Sequence, residues 1–303
     1  MSPYRRLDAI ATMLIVALTL LAIVVLLPRM VAPQPLPAAP NGPATALVAR
    51  AAATPVPAAT SIAATPTPPL LPTATTERVV VTAAPILMYH YVRTVDAATD
   101  PLGYELSVTP ELFAQHMALL AEQGYQGVTV ATLVRCMRGE PICPPQPVAL
   151  SFDDGYADAF SAALPVLERY DFQATFYIVG DFVGQPGYMS WEQLAALHAA
   201  GMEIGAHSMS HPDLTRLDAA ELTRQVVASK QLLEERLGTT VESFCYPAGR
   251  YTSATIAAVQ AAGYTSAVTT RWDSDIRDML ALPRRRIAGG TSAEALLWIT
   301  AAP

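Results

Sequence analysis

Two apolar segments of this chain each end in side chains that can bind a metal ion, and this shared arrangement constrains the fold more than any other feature. Residues 148–152 are rich in strand formers, and Asp153, Asp154 and a glycine follow at once, which predicts a tight turn. Residues 203–206 read as a second strand that leads into His207, and His211 follows four positions later. Because chemistry in α/β folds gathers at the carboxyl ends of parallel strands, both segments predict one site at one edge of a parallel sheet.

The residue types at these strand ends are typical of a hydrolytic metal centre. Two imidazoles and one carboxylate form a three-ligand set for a divalent metal that leaves positions open. Successive side chains of an extended chain alternate in direction, so one of the adjacent carboxylates can bind the metal while the other stays free. A metal lowers the pKa of a bound water, and a free carboxylate beside it can accept the proton.

Each motif alone has a simpler interpretation. Asp-Asp-Gly is an ordinary turn sequence, and His-x-x-x-His on a helix is often a pair of exposed histidines. The hypothesis of a metal site therefore depends on the conjunction of the two motifs. Both end apolar strands in the same βα register, and the chain has only 5 histidines.

Strand and helix patterns alternate along the rest of the chain after about residue 79. Thr109 followed by Pro110 predicts the start of a helix, residues 157–170 predict another helix, and residues 174–179 predict a strand. Ser190 and Asp218 each begin a capping-box sequence. Repeated βα units with polar residues at strand ends predict a parallel, barrel-like α/β fold.

Four segments resemble the polysaccharide deacetylases, the NodB-homology proteins of carbohydrate esterase family four. Residues 151–155, Ser-Phe-Asp-Asp-Gly, are similar to the first motif of that family, and residues 207–214 are similar to its second. Residues 85–92 and 244–251 resemble the exported branch, which includes the poly-N-acetylglucosamine and intercellular-adhesin deacetylases. The resemblance covers about residues 84–300 and implies a distorted (β/α)7 barrel.

The resemblance also implies the roles of the site residues. Asp153 corresponds to the catalytic base, and Asp154, His207 and His211 correspond to the ligands of one divalent metal, with zinc as the expected ion. The exported branch uses an N-terminal histidine as general acid, and His90 matches it. A capped histidine at a strand end is the simpler interpretation of His90.

Two features depart from the family pattern. No histidine follows His211, although the final motif of the family normally supplies a histidine as general acid. In addition, Cys245 stands where the family has an arginine that orients the base. Residues 282–287 read as a late strand on which Arg284 and Arg286 share one face, so Arg284 is the candidate substitute. The alternative is a solvated basic sheet edge.

Several residues are candidates for contact with the substrate. A main-chain N–H near residues 247–249 can help to hold an oxyanion, and Ala248 occupies the family's tyrosine position. Two aromatic residues near the motifs can stack on sugars, although each can equally belong to the core. The substrate-binding candidates are Tyr246, Pro247, Ala248, Gly249, Tyr156 and Trp191.

The N-terminal part of the chain differs in composition from the rest. Residues 9–27 carry no charge and follow Arg5 and Arg6, and they are long enough to span a bilayer core of about 30 Å. Residues 1–8, which contain these two arginines, should stay in the cytoplasm, and we therefore predict an uncleaved signal anchor. A cleaved signal peptide is the alternative. Residues 28–78 are rich in Pro, Ala and Thr and predict a disordered linker, so the domain at residues 79–303 should lie outside the cell membrane.

Cys136 and Cys143 flank a short loop just before the first motif. Two close cysteines outside the membrane can persist as a disulfide, and two buried free thiols are the alternative.

The charge balance narrows the choice of partners. A formal net charge of -7 argues against binding of nucleic acid and favours a neutral or partly cationic glycan. The sequence therefore predicts a membrane-anchored, metal-dependent hydrolase that removes N-acetyl groups from an amino-sugar polysaccharide. Hydrolysis of O-acetyl esters or small amides, and non-catalytic glycan binding, are the alternatives.

Overall fold

The computed structural model describes residues 84–140, 143–272 and 277–301. The predicted anchor at residues 9–27 and the predicted linker at residues 28–78 lie outside them. In the part of the chain that is described, no helix is both long enough and apolar enough to span a bilayer.

The described residues form ten strands and eight α-helices. The strands are β1 (Ile86–Tyr89), β2 (Tyr91–Val92), β3 (Ser107–Val108), β4 (Gln126–Val128), β5 (Pro147–Phe152), β6 (Thr175–Ile178), β7 (Glu203–Ala206), β8 (Ser243–Cys245), β9 (Ser266–Val268) and β10 (Arg285–Arg286). The helices are α1 (Pro101–Leu106), α2 (Pro110–Glu122), α3 (Val130–Met137), α4 (Leu164–Arg169), α5 (Trp191–Ala199), α6 (Ala219–Leu237), α7 (Ser253–Ala261) and α8 (Ala293–Ala301).

Local capping explains where the helices begin. Thr109 accepts a hydrogen bond from the N–H of Leu112 before α2, as the sequence predicts. Before α5, Ser190 and Gln193 form the full predicted capping box. Asp218 caps α6 through the N–H of Glu221, without the reciprocal bond of a full box.

The single helix predicted over residues 157–170 is not regular. Ala159–Ala163 form a π-helical turn, and α4 begins only at Leu164. Pro165 lies at the start of α4, where its missing N–H cannot bond to the preceding turn. The wider turn before it accommodates the proline ring.

The main sheet is parallel, and seven of its strands follow the order β10-β1-β5-β6-β7-β8-β9. β4 pairs with the first half of β5, and β6 pairs with its last two residues. Beside β10, Leu282 exchanges hydrogen bonds with the β9 side, and the N–H of Ile287 donates to Met88 of β1. This segment joins the two edges of a parallel-sheet α/β half-barrel.

Alternation along the strands separates two apolar layers. Leu87, Leu150 and Phe176 belong to the larger core cluster, which also contains buried residues of most of the helices. Buried residues of α3 belong instead to a second cluster. This second cluster contains the strand residues that point the other way, on the inner face of the half-barrel, among them Ile86, Ala149, Tyr177, Cys245, Val268 and Leu282. Because Asp153 and Arg284 lie at even spacing from Ala149 and Leu282, they emerge on this inner face.

Candidate active site

Asp153 follows β5, and its carboxylate is buried against the guanidinium of Arg284. The two groups form a bidentate pair, with Nη1 to Oδ1 and Nη2 to Oδ2 both at 2.6 Å. Burial alone would raise the pKa of Asp153, but the charge and hydrogen bonds of Arg284 outweigh it and hold the pKa well below its usual range. Asp153 is therefore ionised at any working pH.

Arg284 is itself held by neighbouring groups. Its Nε donates to the carbonyl of Thr269 at 2.8 Å, and its Nη1 donates to the hydroxyl of Ser151 at 3.1 Å. Its guanidinium also lies 5.6 Å from the ring centroid of Tyr177. These three supporting residues were not singled out from the sequence. Only Ser151 carried a signal, because it lies two positions before Asp153 on the same face of β5.

Asp154, His207 and His211 come together beside this pair. Oδ1 of Asp154 lies 3.4 Å from Nε2 of His207 and 3.6 Å from Nε2 of His211. Ligands about 2.0–2.1 Å from one tetrahedral ion are about 3.4 Å apart, so these distances fit one ion. The three atoms and the residue types thus meet the requirements of a divalent metal site with an open position.

The tautomer of His207 supports this interpretation. Nδ1 lies 2.7 Å from the carbonyl oxygen of Cys245, which can only accept, so Nδ1 carries the proton. In the neutral imidazole the lone pair then lies on Nε2, which faces Asp154. A backbone carbonyl thereby orients the imidazole as a ligand.

The backbone around these residues is unusual. Asp154, Ser208 and His211 have φ angles of 73°, 63° and 59°, in the left-handed region that favours glycine. The N–H of His211 donates to the hydroxyl of Ser208 at 2.9 Å, which stabilises the loop after β7. Strained residues in such loops are typical of functional sites.

His90 lies at the end of β1, with its Nε2 3.9 Å from Oδ2 of Asp153. Burial lowers its pKa, Asp153 and Asp154 act in the opposite direction, and Arg284 and Arg286 lower it further, so the net shift is downward. The structure therefore brings the predicted acid to the predicted base.

Cys245 occupies the inner-face position on β8 beside both groups. Its sulfur accepts from Nη2 of Arg284 at 3.2 Å and lies 3.6 Å from Oδ2 of Asp153. Burial raises the pKa of this thiol, which stays protonated and uncharged. The small side chain leaves room for the guanidinium that arrives from the β10 side.

Residues 247–249 form a short turn after β8. The N–H of Gly249 donates to Tyr246 and that of Arg250 donates to Pro247, and Pro247 has none of its own. Among the hydrogen bonds of the described residues, the N–H of Ala248 has no acceptor. The hydroxyl of Tyr246 donates to Leu280, so this side chain is engaged within the protein.

The two predicted stacking residues have different surroundings. Tyr156 stacks on Tyr91 at 3.6 Å and on Tyr188 at 5.0 Å between ring centroids, so a sugar would meet a row of rings rather than Tyr156 alone. Trp191 begins α5 and packs against the core, with Arg236 over its ring.

Cys136 and Cys143 form a disulfide, with their Cα atoms 5.0 Å apart. It joins the last turn of α3 to the approach to β5. Cys245 is a free thiol.

Comparisons with known proteins show which proteins this chain resembles in sequence and in fold. The sequence profile of the polysaccharide deacetylase family matches residues 142–267. This chain is 31% identical over 213 residues to YxkH of Bacillus subtilis (strain 168), a protein named as a polysaccharide deacetylase. The match covers 70% of this chain and 74% of YxkH. The structure of the deacetylase PplD of Streptococcus pyogenes has a TM-score of 0.68 and 27% identity, and the match covers 72% of this chain and 98% of that one.

One relative with a shorter match is named for its enzymatic activity. The poly-beta-1,6-N-acetyl-D-glucosamine N-deacetylase of Escherichia coli (strain K12) is 33% identical over 81 residues, 27% of this chain and 12% of that protein. The chain belongs to the polysaccharide deacetylase family. The resemblance to this family in the sequence motifs is confirmed, and so is the parallel α/β fold that it implies.

Proposed function

We propose that this protein removes N-acetyl groups from an amino-sugar polysaccharide with the help of one divalent metal ion. The observation that carries the proposal is the bidentate pair of Asp153 and Arg284 next to the triad of Asp154, His207 and His211. This arrangement offers a fixed, ionised carboxylate beside a set of metal ligands. The family relationship directs this chemistry to an acetylated glycan.

In this proposal Asp154, His207 and His211 hold the metal, with zinc as the best fit to two imidazoles and one carboxylate. When bound, a divalent ion supplies an activated water and polarises the amide carbonyl. The other residues act through their own atoms. Asp153 accepts the proton of the attacking water, and Arg284 fixes the orientation of its carboxylate.

His90 acts as the general acid toward the leaving amine. Its Nε2 lies 3.9 Å from Oδ2 of Asp153, the oxygen that also accepts from Nη2 of Arg284. The N–H of Ala248 is the main-chain donor best suited to the oxyanion, because the neighbouring N–H groups are used within the turn.

Arg284 has two opposing effects on Asp153 as a base. Its charge keeps Asp153 ionised, but a low pKa also makes Asp153 a weak base. A weak base would suffice here, because a divalent ion held by Asp154, His207 and His211 would make a bound water more acidic. Asp153 then needs only to be unprotonated and correctly placed.

We also propose the predicted cellular arrangement. Residues 9–27 anchor the chain in the cell membrane, residues 28–78 act as a linker, and the domain at residues 79–303 is a distorted (β/α)7 barrel outside the membrane. The uncharged stretch, the basic residues before it and the Pro-rich composition after it support this proposal.

An O-acetyl esterase is the second candidate, because the same metal, base and acid can hydrolyse an ester. Acetate release decides between them, with peptidoglycan, chitin oligomers and poly-N-acetylglucosamine as amide substrates and acetylated xylan as the ester. Release from at least one amino-sugar polymer and little from xylan supports the N-deacetylase. Release from xylan alone supports the esterase, and glycan binding without any acetate release supports a non-catalytic module.

A further inference from the structure

Arg286 is the last residue of β10 and lies at the mouth of the candidate site. Its backbone pairs with Met88 of β1, two residues before His90. Because side chains alternate along a strand, Arg286 shares a face with Arg284, which points at Asp153. Arg284 is buried, whereas Arg286 is exposed. Its guanidinium therefore faces solvent on the inner side of the sheet edge, beside the end of β1.

The charge of Arg286 is not balanced by a neighbouring acid. Among the ion pairs of residues 84–140, 143–272 and 277–301, none involves Arg286. The nearby acids are engaged elsewhere, since Asp153 binds Arg284 and Asp154 faces the two histidines. Arg286 is nevertheless close enough to His90 to lower its pKa.

Two further arginines lie near the loop that follows β7. Asp213 lies two residues after His211, and its carboxylate accepts from Arg250 at 2.8 Å and lies 3.5 Å from Arg216. One carboxylate thus serves two guanidinium groups. The exposed guanidinium of Arg286 is a local positive charge beside the site, although the whole chain has a formal net charge of -7. A local field of this kind selects ligands by charge.

We propose that Arg286 is a specificity-determining residue that binds a carboxylate on the glycan, next to the sugar whose acetyl group is removed. This inference rests on the proposed function and adds the substrate class. A guanidinium is suited to it, because its planar fork matches the two oxygens of a carboxylate. It revises the expectation of a neutral or partly cationic glycan, since a positive mouth repels a chain that already carries free amines.

Two common sources of such a carboxylate can be compared directly. Peptidoglycan strands stripped of peptide carry a lactyl carboxylate, and hyaluronan oligosaccharides carry a uronic acid. Chitin oligomers of matched length are neutral, and partly deacetylated chitin oligomers are cationic. KM and kcat are measured on all four for the wild type, for Arg286→Gln, for Arg286→Glu, and for Arg169→Gln. Arg169 is an exposed arginine at the end of α4, and its variant removes the same charge elsewhere.

For the wild type, KM should be lowest on one or both carboxylate-bearing glycans and highest on the cationic one. Arg286→Gln should raise KM about two- to fivefold on the preferred anionic glycan alone, the range expected for loss of an exposed ion pair. The change in kcat should be small. The difference should shrink as salt is added. Arg286→Glu should reverse the preference, and Arg169→Gln should change nothing.

A KM that does not depend on glycan charge, or an equal change on neutral and anionic glycans in Arg286→Gln, overturns the assignment. Calorimetric binding of the same four glycans separates this failure from that of the proposed function. If no glycan releases acetate but the anionic glycan binds more tightly through Arg286, the proposed function is wrong and the assignment stands. If acetate release is normal but insensitive to charge, the function stands and the assignment is wrong.

Discussion

Arg284 binds both carboxylate oxygens of Asp153 at 2.6 Å, although 131 residues separate the two in the sequence. The pair is fully buried, so each charge depends on the other. Removing one partner of a buried pair leaves an uncompensated charge, which typically costs about 3–5 kcal/mol. The stability of the domain and the ionisation of its base are thus linked through one contact.

Arg284→Gln should reduce activity, and it should also make the protonation of Asp153 visible in the pH dependence of the rate. Without the guanidinium, burial is left to raise the pKa of Asp153, so the rate should fall at low pH where the carboxyl becomes protonated. The wild type should lack this acid limb, because its Asp153 stays ionised. The pH dependence of kcat/KM checks this, with Arg169→Gln as the charge-matched control. An unchanged acid side in a folded Arg284→Gln protein contradicts the role of Arg284.

The metal ligands should be separable from the base by metal content. His207→Ala and His211→Ala should each lose bound metal, because each removes one of three protein ligands. Asp154→Asn should lose it as well, whereas Asp153→Asn should keep the metal and lose most activity. Elemental analysis of the purified variants measures this. His198→Ala, which changes an exposed histidine on α5, is the control, and full occupancy in His207→Ala would refute the ligand set.

His90 should set the alkaline side of the pH profile. A general acid works only when protonated, so the rate should fall as the pH rises through the pKa of His90. Burial and the nearby arginines place that pKa below the ordinary value for histidine, against the opposing effect of Asp153 and Asp154. His90→Ala should lose about 10² to 10⁴ in rate while retaining metal, the usual worth of a positioned acid. Near-normal activity with the alkaline limb intact would place the acid elsewhere.

The disulfide can be tested with Cys245 as an internal control. In the unfolded but unreduced protein, an alkylating reagent should label only Cys245, because Cys136 and Cys143 are bonded to each other. After a reductant is added, all three should be labelled, as mass spectrometry of the peptides would show. Labelling of Cys136 and Cys143 before reduction contradicts the bond.

A chain that begins at about residue 80 should fold and remain active without the N-terminal segment. The reason is that core patterning in the sequence starts only there, and the first core residues of β1 follow directly. Circular dichroism and acetate release, compared with the full chain in detergent, measure this. If the shortened chain aggregated while the full chain in detergent was active, the predicted domain boundary would be wrong.

The sequence was most informative where local chemistry decides the structure. A strand that ends in Asp-Asp-Gly has few alternatives, and parallel strands then bring Asp154 and His207 to the same edge. Arg284 was a candidate because the family arginine is missing at Cys245 and because strand alternation puts Arg284 and Arg286 on one face. In the structure Arg284 binds Asp153, although the regular strand is only Arg285–Arg286. Thr109 and Ser190 mark helix starts because their side chains satisfy backbone donors locally.

Features that depend on distant contacts were not predictable in this way. The φ angles of Asp154 and His211 lie in the left-handed region, which residue type alone does not indicate. The support of Arg284 by Thr269 comes from a neighbouring strand, so no local pattern reveals it. The tyrosine row around Tyr156 joins side chains that are distant in sequence, with Tyr91 in β2. The π-helical turn before Pro165 is not indicated by the apolar spacing of the segment.

The long separation between Asp153 and Arg284 also affects when the protein becomes an enzyme. As the chain leaves the ribosome, Asp153 emerges well before Arg284, whose positive charge keeps the carboxylate ionised. Until the segment around β10 pairs with β1, a buried Asp153 has no countercharge, and burial favours its protonated form. If the proposed function is right, a half-made chain has no working base, and activity should begin only when synthesis has passed Arg284 and the sheet edges have joined.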